Sequence, residues 1–446
     1  MKTEIGYHHT LLHVEFPDTS IIYRSSCAPP TASASELVLE AVRNQACPAN
    51  LVDSIKKRPH SSVIIAVSDI TRPIPYRAFL PAVLDEIESA GIDRKSITIL
   101  IATGMHRPST KEERLLMFGG EIAAGYKILD HNPEGEMVSL SGTSYSGAPV
   151  KLSKIFAEAD FKIVIGLVEP HFMAGFSGGR KTICPGLSSL DTIKHFHGYE
   201  FLSHPKAVAG VLEGNPCHEE ALSVAGLACV DFSIQLVMNH EKKIVKAFGG
   251  DLFKTHSSAC SYASRTACPV VETEVDVVVT GCGGYPLDAT FYQCVKALVT
   301  ALPCVKDGGT IIAAGGCVEG VGSQTYENML RRYSNDFSRF IYDIRKSDDI
   351  VKDQWQIQMQ ARIYEKTQWD KIHFITHGIV SGHSSFLGVK VIEAVSDRVT
   401  ENLQKIVDHL AEKGCRFAVI PEGPYCAPVA KGMAGCSTDM NSMEVT

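Results

Sequence analysis

A chain of 446 residues is longer than one hydrophobic core usually serves, so two domains are expected. Its 45% hydrophobic and 21% charged residues are those of a soluble globular protein, and a net charge of -7 argues against broad nucleic-acid binding. No apolar run reaches the ~20 residues that cross a bilayer, and the start, MKTEIGYHHTLLHVEF, lacks the basic head and apolar core of a signal peptide. The 14 cysteines are scattered without a C-x-x-C pair, so reduced thiols in a cytoplasmic protein are expected, not a disulfide framework or a zinc site.

The N-terminal segment reads as β structure over Leu11 to Phe16 and Ile21 to Tyr23, with His8 and His9 at the surface, followed by a helix near Ala34 to Arg43. Val63 to Val67 is a short buried strand that ends in Ser68-Asp69-Ile70-Thr71-Arg72-Pro73, where proline holds Asp69 and Arg72 in a loop. The fork of Arg72 suits a planar anion such as a carboxylate; an Asp69–Arg72 pair bracing its own loop is the alternative. The next unit repeats the arrangement. A helix from Tyr76 to Ala90 leads to a strand over Ile97 to Ala102, which ends in Thr103-Gly104-Met105-His106-Arg107-Pro108. Thr110 and Glu113 then form a capping box that opens a helix through Phe118.

The most informative stretch is Lys162 to Gly186. An apolar run (Ile163, Val164, Ile165, Leu167, Val168) of strand length breaks into a glycine loop that carries His171, Ser177, Gly178, Gly179, Arg180 and Lys181. In open α/β sheets such strand ends are where ligands sit. Lys181-Thr182 resembles the end of a P-loop, but Arg180 replaces the glycine that lets a phosphate approach closely, so an NTPase is rejected. Ser188 and Asp191 signal a helix with His195 and His197, which lie about 200° apart on it and cannot chelate one metal together. Asn215-Pro216 opens another helix, and Cys217, His218 and Glu219 are assigned to the surface. Asp231 to Met238 alternates like a strand, Gly249-Gly250-Asp251 reads as a turn, and a helix is expected over Leu252 to Ser264.

A second α/β unit begins near Val275. Its strand, Val275 to Thr280, leads through Gly281-Cys282-Gly283-Gly284 to a helix on which Tyr292 and Lys296 share a face, with Gln293 adjoining it, in the turns where an anion would bind. Thr310 to Ala314 is the next strand, followed by Gly320-Val321-Gly322, half a dinucleotide fingerprint. Further strands are expected at Ile372 to Thr376 and Phe417 to Ile420, with a helix over Val399 to Glu412 and a flexible polar tail after Lys431.

Taken together, SDITRP (68–73), ATGMHRP (102–108), PHFMAGFSGGRKTICPG (170–186) with His197 beyond it, GGYPLDATFYQCVK (283–296) and DQWQIQ (353–358) resemble the lactate racemase family that uses a nickel-pincer nucleotide. The match spans nearly the whole chain; Met105, the cysteine count and the polar tail depart from it. The resemblance implies that Lys181 holds the pyridinium-derived mononucleotide through a thioamide and that His197 completes the nickel coordination. It implies His106 and His171 as the acid/base pair, and Arg72, Gln293, Lys296 and Trp355 around the substrate. Asp69, Ser177, Gly178, Gly179 and Tyr292 would complete the cofactor's surroundings. One imidazole suffices when the pincer supplies the other donors to a soft square-planar nickel.

The expected architecture is two doubly wound, Rossmann-like α/β domains, residues 1–272 and 273–446, with the active site in the cleft between them. The expected function is racemisation or epimerisation of a 2-hydroxy acid by reversible hydride transfer through a keto acid, with the cofactor's biosynthetic enzymes as partners. An NAD-dependent dehydrogenase using the Gly320 region and a non-catalytic anion-binding protein are the alternatives.

Overall fold

The computed structural model describes residues 1–44, 50–57, 62–347 and 349–433. The tail expected to be flexible lies almost wholly outside the described residues. The chain is α/β, built on two six-stranded sheets. The first has the order Ile244–Gly250, Phe232–Met238, Phe161–Leu167, Val63–Ser68, Ile97–Ala102, Lys127–Asp130. All neighbours in it are parallel except the edge strand Ile244–Gly250, which runs antiparallel. The second, with the order Lys390–Glu393, Ile372–Thr376, Val305–Ala314, Val275–Gly281, Phe417–Ile420, Ile21–Ile22, is parallel throughout.

Alternate residues of the strands feed different cores, as the two-residue side-chain period requires. Ile64, Ala66, Leu100 and Val164 from the first sheet join Val278, Ile311 and Phe374 from the second in one continuous apolar cluster. Val63, Ile65, Val67, Ile99 and Ile163 point the other way, into a core of their own. One apolar cluster, to which helices also contribute, therefore joins residues of both sheets. The sequence-based strands and helices recur within a few residues, and the capping box of Thr110 and Glu113 is formed at the helix Lys111–Gly125.

Three expectations are corrected. Gly249 and Gly250 end a strand instead of forming a turn, with Asp251 capping the helix Leu252–Ala267. Cys217 and His218 are buried, because the helix Pro216–Leu227 packs against the Arg180–Ile183 turn. The N-terminal segment, placed by sequence with the first unit, packs on the second sheet. Ile21–Ile22 pairs with Phe417–Ile420, and the hairpin Lys2–Tyr7 and Thr10–Glu15 buries Ile5, Val14 and Phe16 against Val277, Val279 and Phe417. Ile5 is fully buried, and its Cγ2 would lie 2.9 Å from a Cβ added to Gly281. Ile5→Ala is expected to lower stability by about 2 to 5 kcal/mol in chemical denaturation, because the rigid glycine strand end cannot collapse into the space. A loss within error of zero would show that the hairpin is an appendage.

Candidate active site

The order of the first sheet decides where the site forms. Phe161–Leu167, Val63–Ser68 and Ile97–Ala102 are neighbours and parallel, so their carboxyl ends lie side by side on one edge. At a strand spacing of about 4.8 Å, the loops bearing His171 and His106 flank the Asp69–Arg72 loop, and the outer two strand ends are separated by about 10 Å. They open on a cavity of about 190 Å³. The helix Phe291–Thr300 contributes Tyr292, Gln293 and Lys296 to its wall, and the start of the helix Gln354–Tyr364 contributes Trp355 and Gln356. His197, Lys181, Ser177 and Gly178 complete the set.

All the sequence-derived site residues line this cavity except Gly179. Gly179 sits behind it, where its N–H donates to Gln235 Oε1 at 2.7 Å and a Cβ would meet the His256 ring at 2.4 Å. Gly178 and Gly179 both have positive φ, 70° and 49°, which lets the loop turn under its own strand before the short helix Arg180–Ile183. Ser177 spends its hydroxyl on that turn, donating to Leu167 O at 2.7 Å. Arg180, fully buried, donates to Ala174 O at 2.6 Å and lies 2.8 Å from His256 Nε2, so it braces the loop from behind.

The pair imagined between Asp69 and Arg72 does not form. Asp69 instead bonds His106 Nδ1 through Oδ2 at 2.6 Å and Thr71 through Oδ1, while Arg72 Nη1 donates to Glu169 Oε1 at 2.8 Å. Burial opposes the charge on Asp69, but His106, Thr71 and Arg72 outweigh it and hold the carboxyl below its usual range. The carboxylate accepts from Nδ1–H of His106, so in the neutral form of the ring the lone pair is on Nε2. His171 has the opposite tautomer. Its Nδ1 accepts from the N–H groups of Met173 and Ala174 at 3.2 and 3.3 Å, so the neutral ring carries its proton on Nε2. Burial and the cations Lys181, Arg72 and Lys296 keep it neutral.

His197 is fixed in a third way. Its Nδ1 donates to Ile193 O at 2.8 Å, its ring stacks on Trp355 with centroids 4.6 Å apart, and burial lowers its pKa to about 3. With Nδ1–H held by the Ile193 carbonyl, the lone pair of the neutral ring is on Nε2. Trp355 Nε1 in turn donates to Tyr292 OH at 2.9 Å. His195, two residues away, points outward to Ser146 Oγ at 2.6 Å, so one histidine of that helix faces the site. Burial, with Arg180 and Arg72 nearby, lowers Lys181 to about 7; burial and Arg72 do the same to Lys296. Neither lysine has an ion-pair partner among the described residues.

Anion binding at the free N–H groups of the Phe291–Thr300 helix is not available. Phe291 N–H and Tyr292 N–H already donate to Gly320 O and Val321 O at 3.0 and 2.9 Å. The same contacts engage the Gly320-Val321-Gly322 segment as a helix cap. The DQWQIQ motif contains Asp353 and Gln356, but sequence reasoning gave them no place in the site, where they line the cavity, and did not find the helix Gln354–Tyr364. Its glutamines give no apolar period, although nine of its eleven residues are buried.

Buried histidines give the site a pH signature. His131, His171, His197, His218 and His256 are all held below the ordinary value of 6.5, chiefly by burial. The unfolded chain therefore binds more protons than the folded one as pH falls from about 6.5 towards 3, and stability must fall across that window. Thermal melts from pH 8 to pH 4 should show Tm dropping from just below pH 6.5, ahead of carboxylate titration. A flat Tm down to pH 5 would contradict the neutral burial of these rings.

Comparison with known proteins gives a consistent result. The model described as "Lactate racemase N-terminal domain" matches residues 7–210, and "Lactate racemase C-terminal domain" matches 270–425. Lactate racemase of Thermoanaerobacterium thermosaccharolyticum is 34% identical over 429 residues, covering 94% of this chain and 97% of that protein. Lactate racemase of Lactiplantibacillus plantarum is 33% identical over 383 residues, covering 83% and 86%. The structure of the lactate racemase apoprotein from T. thermosaccharolyticum superposes with a TM-score of 0.84 at 31% identity, over 97% of this chain and 100% of that one. A Thermotoga maritima protein, at 15% identity and a TM-score of 0.65 over 85% and 97%, shares the fold. The chain belongs to the lactate racemase family.

Proposed function

We propose that the protein racemises or epimerises a 2-hydroxy acid, using a nickel-pincer nucleotide attached to Lys181, in a cleft between two Rossmann-like α/β domains. The observation that carries the reading is that two histidines with opposite tautomers open on one cavity shared with an amine and a third, metal-competent imidazole. The residues fit the cofactor. Lys181 is an amine poised to be neutral, as a nucleophile must be, and His197 Nε2 is a lone pair without a proton. Among the described residues no group of three or more His, Cys, Asp or Glu side chains could hold a metal, so the other donors would come with the pincer. The cofactor's biosynthetic enzymes would then be required partners.

When bound, the pincer nucleotide would supply the electrophilic centre for reversible hydride chemistry at C2 of the substrate. The chain's own residues do the rest. Arg72 and Lys296 hold the substrate carboxylate, with Gln293 beside them; that anion also offsets cations that oppose a proton on His171. His106 Nε2 accepts the hydroxyl proton of one enantiomer, with Asp69 stabilising the imidazolium. His171, with its proton on Nε2, would serve the other side as hydrogen-bond donor to the substrate oxygen after the planar keto acid has rotated.

Removal of C2 hydrogen as a proton would need a base stronger than either imidazole. Substrate deuterated at C2 should therefore keep its label through racemisation in ordinary water; rapid washout of the label would overturn the hydride route. Lys181→Ala should abolish the covalent mass adduct of protein made with the cofactor's biosynthetic enzymes, and an unchanged adduct would move the attachment elsewhere.

A further inference from the structure

The ring of His197 is held by both halves of the chain. Ile193, one helical turn earlier, takes its Nδ1–H. The other contacts come from the helix Gln354–Tyr364: Trp355 stacks on the imidazole with centroids 4.6 Å apart, and Gln358 Nε2 donates to the His197 carbonyl at 3.3 Å. A single hydrogen bond at Nδ1 leaves the plane of an imidazole free to rock about it, so the stacked indole decides where that plane lies. An indole can slide over the ring it covers unless its own polar atom is tied. Trp355 is tied at Nε1, which donates to Tyr292 OH at 2.9 Å.

Beyond that point chemistry fixes every direction. An indole nitrogen only donates, so the Tyr292 oxygen accepts and must send its own proton on. Its acceptor is the Asp353 carboxylate; burial and that carboxylate raise the pKa of Tyr292, so the hydroxyl keeps its proton. Ser323 reaches the same carboxylate from the start of the helix Gln324–Tyr333, its Oγ accepting from Tyr326 N–H at 3.1 Å and donating to Asp353 Oδ2. Two hydroxyls therefore end on one buried acceptor. Asp353 itself sits at φ 69° and ψ −1°, a left-handed backbone that is uncommon outside glycine, and its side chain does not cap the helix that it precedes. A carboxylate turned away from its own helix towards Tyr292 and Ser323 accounts for that backbone. We propose that Asp353 is a positioning residue for the nickel site, fixing Tyr292, through it Trp355, and through the stack the plane of His197. The proposal rests on the reading of His197 as the nickel ligand.

The test compares Asp353→Gly, which keeps the left-handed backbone and removes the carboxylate, with Tyr292→Phe and with the double variant. In apoprotein carrying Trp369→Phe, Trp355 is the one tryptophan left of two. Its emission should move to longer wavelength and become open to acrylamide quenching in both single variants. In Asp353→Gly holoenzyme the Lys181 adduct should persist, while EDTA strips the nickel about tenfold faster than from the parent. Turnover should fall with KM for the hydroxy acid within about twofold, since Arg72 and Lys296 still hold the carboxylate. Adding Asp353→Gly to Tyr292→Phe should change nothing further, because the chain is already cut. Asp353→Asn tolerates the same backbone and keeps an acceptor, so it should recover nickel retention. Parent-like Trp355 emission or parent-like nickel retention in Asp353→Gly would overturn the proposal. So would an additive effect in the double variant, which would mean that Asp353 touches the bound group directly. A parent holoenzyme that holds no nickel would instead fail the underlying reading of His197, and the proposal with it.

Discussion

The site depends on one geometric constraint, the adjacency of three parallel strands. Parallel pairing puts all three carboxyl ends on the same edge, so residues near positions 70, 106 and 171, far apart in the chain, cannot avoid meeting. The strands are buried on both faces and nearly rigid, which makes their ends a better platform than a free loop. What varies between such sheets is the chemistry that each loop carries, and here two loops bring imidazoles while the middle one brings a guanidinium and the carboxylate that orients His106.

The electrostatics follow from what the pocket leaves out. Among the described residues, Arg180, Lys181 and Lys296 are enclosed without a carboxylate to pair with, whereas Arg72 has one in Glu169. Uncompensated charge in low dielectric is costly unless an anion arrives or the group gives up its proton. Lys181 and Lys296 respond by approaching neutrality, and His171 and His197 by staying neutral. A ligand that is itself anionic repays this cost on binding, which is a physical reason for a site of this composition to select carboxylates and phosphates over neutral alcohols.

Much of this could be read from the chain before any fold was known. Strand ends followed by Arg72, His106 and His171 were visible because each apolar run stops at a glycine or proline, and the capping box at Thr110 marked a helix start without tertiary information. The partners of those residues were not visible. Asp69 and Arg72 are three apart and look like a pair, yet the loop aims one at His106 and the other at Glu169, 97 residues on. The Gln354–Tyr364 helix was hidden for a related reason. Its polar surface is satisfied by distant backbone, with Gln356 donating to Tyr292 O and Gln358 to His197 O, so its burial reflects hydrogen bonding across the site and not hydropathy. The roles carried by family resemblance went further than residue patterns alone could.

The pairing of Ile21–Ile22 with Phe417–Ile420 has a consequence for how the molecule is made. The first sheet is complete once Gly250 has been synthesised, so it can form while the chain is still growing. The second sheet must wait for its last strands, and the hairpin Lys2–Tyr7 and Thr10–Glu15, made well before them, lacks its full docking surface until then. For most of synthesis Leu12, Val14 and Phe16 are apolar residues without a partner. Closure over such a sequence separation is slow, and a nascent chain lacking the last strands would present an unpaired β edge to its neighbours, so this hairpin, made long before its partners, is an element in need of protection from aggregation.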